Sequence, residues 1–408
     1  MNHERTRREF LETLGFTAAG LLTAGYTATA RGFAANETVS IGCIGTGGRC
    51  RILMKALQQI PGVRIVATAD VWDQNLAAGH ELADPKAATT KDYRALLERK
   101  DVDAVVIGAP DHWHVPMTID ACAAGKDVYV EKPLTHDLSE GQPVIDAQNN
   151  HQRIVQVGTQ QRSMPQFLKG LEIVKAGTLG DIHKVHLTWN RNAARHKIAK
   201  LNIDPKTVDW KRFLGNAPDQ PFNEYRFRNW RWFWDFGGGI LTDLMVHQLD
   251  IANWYLDLNI PAMATTIGDQ FQTAGTWETP DTIQTLMRYP DREVQVYFEG
   301  TFCSARNRAM IEIMGREGTL YLDRGRYELH PEPTSKLEYS ELVIGAGGRG
   351  LDFYDQPYGE LLHLSNWLEC VRSREKPRCP AEAGVAAAAA AQLGNRAFRS
   401  GQVARWGA

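Results

Sequence analysis

Three residues far apart in the chain have side chains suited to moving a proton beside a fixed charge: Lys132, Asp243 and His247. Lys132 stands in Glu131-Lys132-Pro133, straight after the apolar run Asp127–Val130, which reads as a buried strand. An ammonium at the mouth of a buried strand is costly unless a ligand or counter-charge receives it. A solvated Glu131–Lys132 ion pair at a sheet edge is the plainer alternative, and spacing does not choose between the two. Pro133 fixes the turn, through a cis bond if the geometry demands one. Asp243 and His247 stand four apart in Leu241–Trp254, an amphipathic segment with helical spacing, which predicts that they share one helix face. A carboxylate one turn from an imidazole can fix the ring and raise its basicity. On these residues alone, a helix-start aspartate and a hydrogen-bonded core histidine remain the plainer reading.

A second group has the types that hold a nucleotide. Val39–Ile44 runs into Gly45-Thr46-Gly47-Gly48-Arg49-Cys50. Gly45 permits a tight turn, and Gly47 lets backbone amides approach a pyrophosphate at a helix N-terminus. Cys50 occupies the third fingerprint position, where glycine or alanine is usual, so the fingerprint is imperfect. Asp70 ends the second strand about 20 residues after the loop, where a carboxylate can accept the adenosine ribose hydroxyls. The same carboxylate repels a 2′-phosphate, which favours NAD over NADP; a turn or helix-capping aspartate is the alternative. The strand Ala104–Gly108 delivers Ala109-Pro110-Asp111-His112-Trp113-His114 to the same edge.

The elements that must position these residues follow from apolar periodicity. Residues 38–158 alternate strand-like runs (Val39–Ile44, Val63–Ala69, Ala104–Gly108, Asp127–Val130, Ile154–Val157) with amphipathic stretches (Arg51–Gln59, Tyr93–Arg99, Val115–Ala123, Ser139–Asn149). That is a doubly wound parallel sheet, with ligand expected beyond the carboxyl ends of its strands. Thr282–Tyr289, Glu293–Gly300, Met310–Met314 and Thr319–Leu322 suit the sheet of a second domain, with Gly359–Arg372 and Glu382–Phe398 as closing helices. Pro331–Gly350 reads as a polar surface excursion. Tyr225–Phe236 is the most aromatic segment; it suits core packing beside Gly237-Gly238-Gly239, with one or two rings left for a sugar pocket.

The combination of the Gly45 loop, Asp70, Pro110-Asp111-His112-Trp113-His114, Glu131-Lys132-Pro133, Gly158-Thr159-Gln160-Gln161-Arg162, Asp235-Phe236-Gly237-Gly238-Gly239-Ile240-Leu241-Thr242-Asp243, His247 and Asp250 resembles the glucose–fructose oxidoreductase/inositol dehydrogenase (Gfo/Idh/MocA) family. The likeness runs from about residue 38 to 400. It implies an N-terminal Rossmann domain (38–158) and a C-terminal α/β domain (159–408) with a large, mostly antiparallel open sheet. It implies NAD(P)-linked oxidation or reduction of a sugar, polyol or glycoside hydroxyl, and a homodimer or homotetramer. Gly45, Thr46, Gly47, Gly48, Arg49, Asp70, Pro110, His112, His114, Glu131, Lys132 and Pro133 are then expected around the cofactor. His247 becomes the base, Lys132 the group that stabilises the alkoxide and places the nicotinamide, and Asp243 an anchor for substrate or base. Gln161 and Arg162 are weak candidates for substrate contact.

Bulk properties restrict the alternatives. The chain has 408 residues, 43% hydrophobic and 23% charged, with a net charge of −2, which gives no electrostatic case for nucleic acid or an anionic membrane. The spacing of its six cysteines resembles neither a zinc site nor a disulfide framework, though Cys370 and Cys379 are close enough in sequence to pair. Thr6-Arg7-Arg8-Glu9-Phe10-Leu11-Glu12, followed by a charge-free run to Ala30, reads as a twin-arginine export signal over residues 1–35. Export to the periplasm would separate the protein from soluble nicotinamide pools and favour a tightly held cofactor; a cytoplasmic protein is the alternative. A redox-neutral enzyme that cleaves glycosides or couples two sugars, and a non-catalytic sugar or NAD sensor, are the competing functions. The sequence selects neither the sugar, the carbon nor the net direction.

Overall fold

The structure is a computed structural model that describes residues 38–193, 201–344, 348–350 and 358–407. The segment read as an export signal lies outside these residues.

The first lobe is a six-stranded parallel sheet of β1 (Val39–Ile44), β2 (Val63–Ala69), β3 (Ala88–Thr90), β4 (Ala104–Ile107), β5 (Asp127–Val130) and β6 (Val155–Val157), in the order β3-β2-β1-β4-β5-β6. The helices α1 (Gly48–Leu57), α2 (Asp73–His80), α3 (Tyr93–Leu97), α4 (Asp111–Ala123) and α5 (Gly141–Asn150) connect the strands. Every residue of β4 and β5 is buried, as strands covered on both faces require. The strand order reverses between β1 and β4, which opens a crevice at their carboxyl ends. Cys50 fits that junction because the residue facing it is Gly108: a Cβ there would lie 2.8 Å from the Cys50 Cβ.

The second lobe is built on a nine-stranded sheet. Its strands are β7 (Ile182–Asn190), β8 (Met263–Asp269), β9 (Thr282–Tyr289), β10 (Val294–Thr301), β11 (Ala309–Gly315), β12 (Gly318–Asp323), β13 (Arg326–Pro331), β14 (Ser340–Val343) and β15 (Ala404–Arg405). The order is β14-β13-β12-β11-β7-β10-β9-β8-β15, antiparallel throughout except for the β7–β10 pair. Burial alternates residue by residue along β9 and β10, so one face is open. The other face packs against α6 (Pro165–Lys175), α9 (Val246–Leu256) and α11 (Ala381–Ser400), with Phe167, Leu249 and Leu393 against Val185, Val296 and Phe298. The short helices α7 (Trp210–Leu214) and α8 (Glu224–Arg228) precede and open the aromatic segment Tyr225–Phe236.

Three features differ from the expectations. Ser340–Val343 pairs with β13 as the edge strand β14, inside the stretch read as a surface excursion; its composition is polar because an edge strand of an open sheet is largely solvated. β7 is not among the runs read as strands, since His183-Lys184-Val185-His186 places polar residues on its exposed half and breaks the alternation. The C-terminal part also does not stay with the second lobe. α10 (Tyr358–Ser373) returns to the first and packs Leu364, Trp367 and Leu368 against Ile41, Leu53 and Tyr129. Ala386–Ala391 lie buried in the middle of α11, as a tightly packed helix demands. All six cysteines are free, Cys370 and Cys379 included.

Candidate functional site

Two adjoining cavities meet where β1, β4 and β5 end. The first, about 320 Å³, is lined by Gly45, Gly47, Gly48, Arg49, Asp70 and Pro110 from the first lobe and by Phe213, Phe227, Trp230 and Arg231 from the second. Gly45 has φ +74°, and a Cβ there would lie 2.7 Å from the Ala109 backbone, so only glycine lets these two strand ends approach. α1 starts at Gly48 with no side-chain cap, and a Cβ on Gly48 would meet nothing within 4 Å. Bare helix amides facing open space form an anion cradle of the kind a pyrophosphate fills. Asp70 follows β2 and accepts from the Trp72 amide at 2.9 Å. Burial pushes its carboxyl up to about 7, against the hydrogen bonds from Trp72 and Asn75. The residues present therefore fit a dinucleotide, with the pyrophosphate over α1 and the ribose at Asp70.

The second cavity, about 360 Å³, is lined by Lys132 and Glu131 from the β5 exit, His114, Gln160, and, from the other lobe, Arg191, Trp230, Arg231, Asp243, His247 and Arg324. Arg49, Gly108, Ala109, Trp230 and Arg231 border both cavities. The Lys132 Nζ donates to Asp243 Oδ1 at 2.9 Å and to the Asp243 carbonyl at 2.6 Å. An ammonium has three donors, so one is left for a ligand. Arg231 Nε donates to the same Oδ1 at 3.0 Å. The Lys132–Pro133 peptide is cis.

Asp243 is turned toward Lys132 and Arg231, not held to the His247 ring as the four-residue spacing suggested. Leu241–Met245 is a π-helical turn that precedes α9, and its i→i+5 bonding moves Asp243 off the ridge that a regular α-helix would give it with His247. The carboxylate is committed to Lys132 and Arg231, while His247 Nδ1 is buried with no hydrogen-bond partner among the described residues. Burial, followed by the positive charges of Lys132, Arg324 and Arg49, pushes the imidazole well below the ordinary histidine range; Asp243 offsets this only in part. His247 packs beside Trp189, with ring centroids 5.6 Å apart.

The remaining candidates divide clearly. Arg49 lies on α1, donates from Nε to Glu131 at 2.7 Å and from Nη1 to Glu360 of α10 at 2.6 Å, and so ties the glycine loop to the Lys132 turn. Thr46 is turned away from the cleft, its hydroxyl donating to the Asn75 carbonyl at 2.9 Å. His112 also leaves the cleft: its Nε2 lies 2.8 Å from the Phe213 carbonyl, and burial lowers its pKa to about 4. His114 braces the two loops, with ring nitrogens 2.6 Å from the Pro133 carbonyl and 2.8 Å from that of Ala109. Arg162 is committed inside the protein and lines neither cavity. It forms a buried bidentate pair with Asp250, both bonds at 2.7 Å, and donates to the Arg378 carbonyl at 2.7 Å. Gln161 is buried and lines neither cavity; its neighbour Gln160 reaches the second one instead. Arg191, Trp230, Arg231, Arg324 and Glu360 were not expected here. The arginines interleaved with aromatics in Tyr225–Phe236 were the available signal for Trp230 and Arg231, whereas Arg191 and Arg324 follow β7 and β12, and only the packing of the two lobes brings those strand ends near β5. Asp111 is buried beside Lys132, Arg231 and Asp243, and burial holds its carboxyl well above the usual carboxylate range.

No helix among the described residues is long and apolar enough to cross a membrane, and no cluster of three or more His, Cys, Asp or Glu there could hold a metal ion. The structure is similar in fold to levoglucosan dehydrogenase solved with NADH and levoglucosan, at a TM-score of 0.70 and 17% identity over 91% of this chain and all of that one. An oxidoreductase domain protein from Kribbella flavida gives a TM-score of 0.72 at 19% identity over 90% of this chain and 99% of that one. In sequence, the chain is 22% identical to the uncharacterised oxidoreductase YrbE of Bacillus subtilis over 90% of its length and 96% of that protein. It is 29% identical to an inositol 2-dehydrogenase of Gluconacetobacter diazotrophicus, over 54% of this chain and 55% of the relative. It is also 29% identical to a glycosyl hydrolase family 109 protein of Shewanella pealeana, over 51% and 50%. These last two alignments span about half of each relative. The family's NAD-binding Rossmann fold matches residues 39–159 and its C-terminal α/β domain matches residues 172–405. The chain belongs to the Gfo/Idh/MocA oxidoreductase family.

Proposed function

We propose that the protein oxidises or reduces a hydroxyl carbon of a sugar, polyol or glycoside, with His247 as the proton acceptor and Lys132 as the electrostatic and positioning group. The observation that carries this reading is that Lys132, from the first lobe, and His247, from the second, line one cavity that adjoins the nucleotide cleft. NAD, when bound, supplies the hydride acceptor; Asp70 favours it over NADP by repelling a 2′-phosphate. His247 takes the hydroxyl proton, and its depressed basicity keeps it neutral and ready to do so at neutral pH. Lys132, held from behind by Asp243, points its remaining donor at the oxygen as negative charge develops there. Asp243 thus acts by fixing Lys132 rather than by orienting the imidazole. Trp230 borders both cavities and offers an aromatic face where a sugar ring meets the cofactor.

Two observations favour a second reading, a redox-neutral glycoside cleavage or sugar-coupled cycle with retained NAD. One is the twin-arginine-like segment, which supports export to the periplasm; the other is the likeness to glycosyl hydrolase family 109. The purified protein separates the two. NAD that survives dialysis, and whose reduced form is consumed only by a second sugar, supports the coupled cycle. Free exchange with added NAD and steady accumulation of reduced cofactor support the simple dehydrogenase.

A further inference from the structure

We propose that the segment 205–231 of the second lobe is a strap that binds the adenosine half of NAD against the first lobe, so that the cofactor leaves only when the strap lifts. The inference deepens the retained-cofactor reading above and rests on it for why NAD must be held. Its argument is where the segment is fastened. One seat is the exit of β2: Val208 and Trp72 form an antiparallel bridge, and the Asp209 amide donates to the Val71 carbonyl at 2.8 Å. On the same side the Lys91 Nζ donates to the Thr207 carbonyl at 3.2 Å, and Arg212 donates to Asp92 at 3.3 Å. The other seat lies beyond β4, at the start of α4. There the Phe213 carbonyl accepts from the Trp113 indole at 2.8 Å and lies 2.8 Å from His112 Nε2. Gly215 follows at φ +59°, and a Cβ on it would lie 2.5 Å from the Trp113 ring, so the turn rests directly on that ring.

β2 and β4 are the two neighbours of β1 in the sheet, so a chain fastened at both of their exits spans the exit of β1, where the glycine loop lies. A segment that merely joined the lobes would need only one of these seats. The strap contributes Phe213, Phe227 and Arg228 to the first cavity, which they share with Val71, Trp113 and Met117 of the first lobe, beside Asp70. An apolar slot next to a carboxylate that can take ribose hydroxyls suits an adenine ring. Phe227 packs edge-on to Trp72, with centroids 5.6 Å apart, and the Arg228 guanidinium lies 5.4 Å from the same ring. Arg228 is exposed, and a planar guanidinium stacks on aromatic faces, which fits it to cover the adenine from outside. His112, expected beside the cofactor, holds the cover instead. The fastenings are single hydrogen bonds and ring edges, so the strap opens without unfolding either lobe.

The test is the release of radiolabelled NAD from the loaded full-length protein, chased with unlabelled NAD, together with hydrogen exchange across residues 205–231. Trp113→Phe keeps a ring under Gly215 and removes the indole donor. Arg228→Ala removes the outer cation from an exposed position and leaves the core untouched. Each is expected to speed release about 10-fold, the effect of one lost hydrogen bond or cation–π contact in a desolvated site. NAD loading is expected to slow exchange across the strap in the wild type, the Asp209 amide included. The proposal falls if both variants release NAD at the wild-type rate, or if loading leaves exchange in the strap unchanged. Slow release that neither variant alters would keep the retained-cofactor reading and sink the strap. Fast wild-type release that both variants make faster still, with the strap protected by NAD, would do the reverse.

Discussion

At the scale of single residues, the proposed chemistry depends on how burial and neighbouring charge set two groups. His247 is pushed well below the ordinary histidine range by burial and by Lys132, Arg324 and Arg49. A general base acts in its neutral form, so the acid limb of kcat/KM against pH is expected below about pH 6.5; an acid limb above that value in a rate profile would show that His247 is not the base. Asp70 runs the other way, with its carboxyl pushed up by burial to about 7. Ribose hydroxyls donate to the ionised form, so NAD binding should release a proton and tighten as pH rises from about 6 to 8. Asp70→Asn should remove that pH dependence and weaken NAD roughly 10- to 100-fold, as titration calorimetry in two buffers would show. The raised value also means that Asp70 favours the folded protein at low pH, an effect lost as pH climbs through 7.

At the scale of elements, the strand ends and helix starts that carry the site differ in how legible they were. β1, β2, β4 and β5 could be read because strands covered on both faces are continuous apolar runs, and the glycine loop, Asp70 and Lys132 sit at their ends. Arg162 shows the opposite case. Its position after β6 suggested the cleft, but its partner Asp250 is 88 residues away and fully buried, so no local pattern announced the pair. Arg162→Ala would strand the Asp250 carboxylate and should cost about 3–5 kcal/mol in a denaturant titration; a loss of activity with unchanged stability would instead restore the substrate role. The π-helical turn at Leu241–Met245 was illegible for a similar reason, since helical periodicity does not distinguish i→i+4 from i→i+5 bonding over one turn. Gly45→Ala tests the loop itself: with φ +74° and the Ala109 backbone 2.7 Å from the new Cβ, it should destabilise the fold by more than about 1 kcal/mol and weaken NAD binding.

At the scale of the whole molecule, the proposed function needs two lobes that each contribute an incomplete site. The first supplies the nucleotide cradle and an ammonium; the second supplies the imidazole, the carboxylate that fixes the ammonium, and the arginines around Trp189. α10 crosses back to the first lobe and, through Glu360 and Arg49, ties the end of the chain to the glycine loop. That connection was invisible in the sequence, where the two residues are 311 apart. The central claim is that Lys132 and His247 act on one carbon, and single-turnover formation of reduced nicotinamide tests it most directly. Wild type, Lys132→Ala and His247→Ala would be loaded with NAD, their occupancy measured, and each mixed with a sugar or polyol that the wild type oxidises. The account predicts that both variants keep the cofactor and lose about 100- to 1000-fold in rate. Wild-type turnover in either variant, with NAD bound, would contradict it.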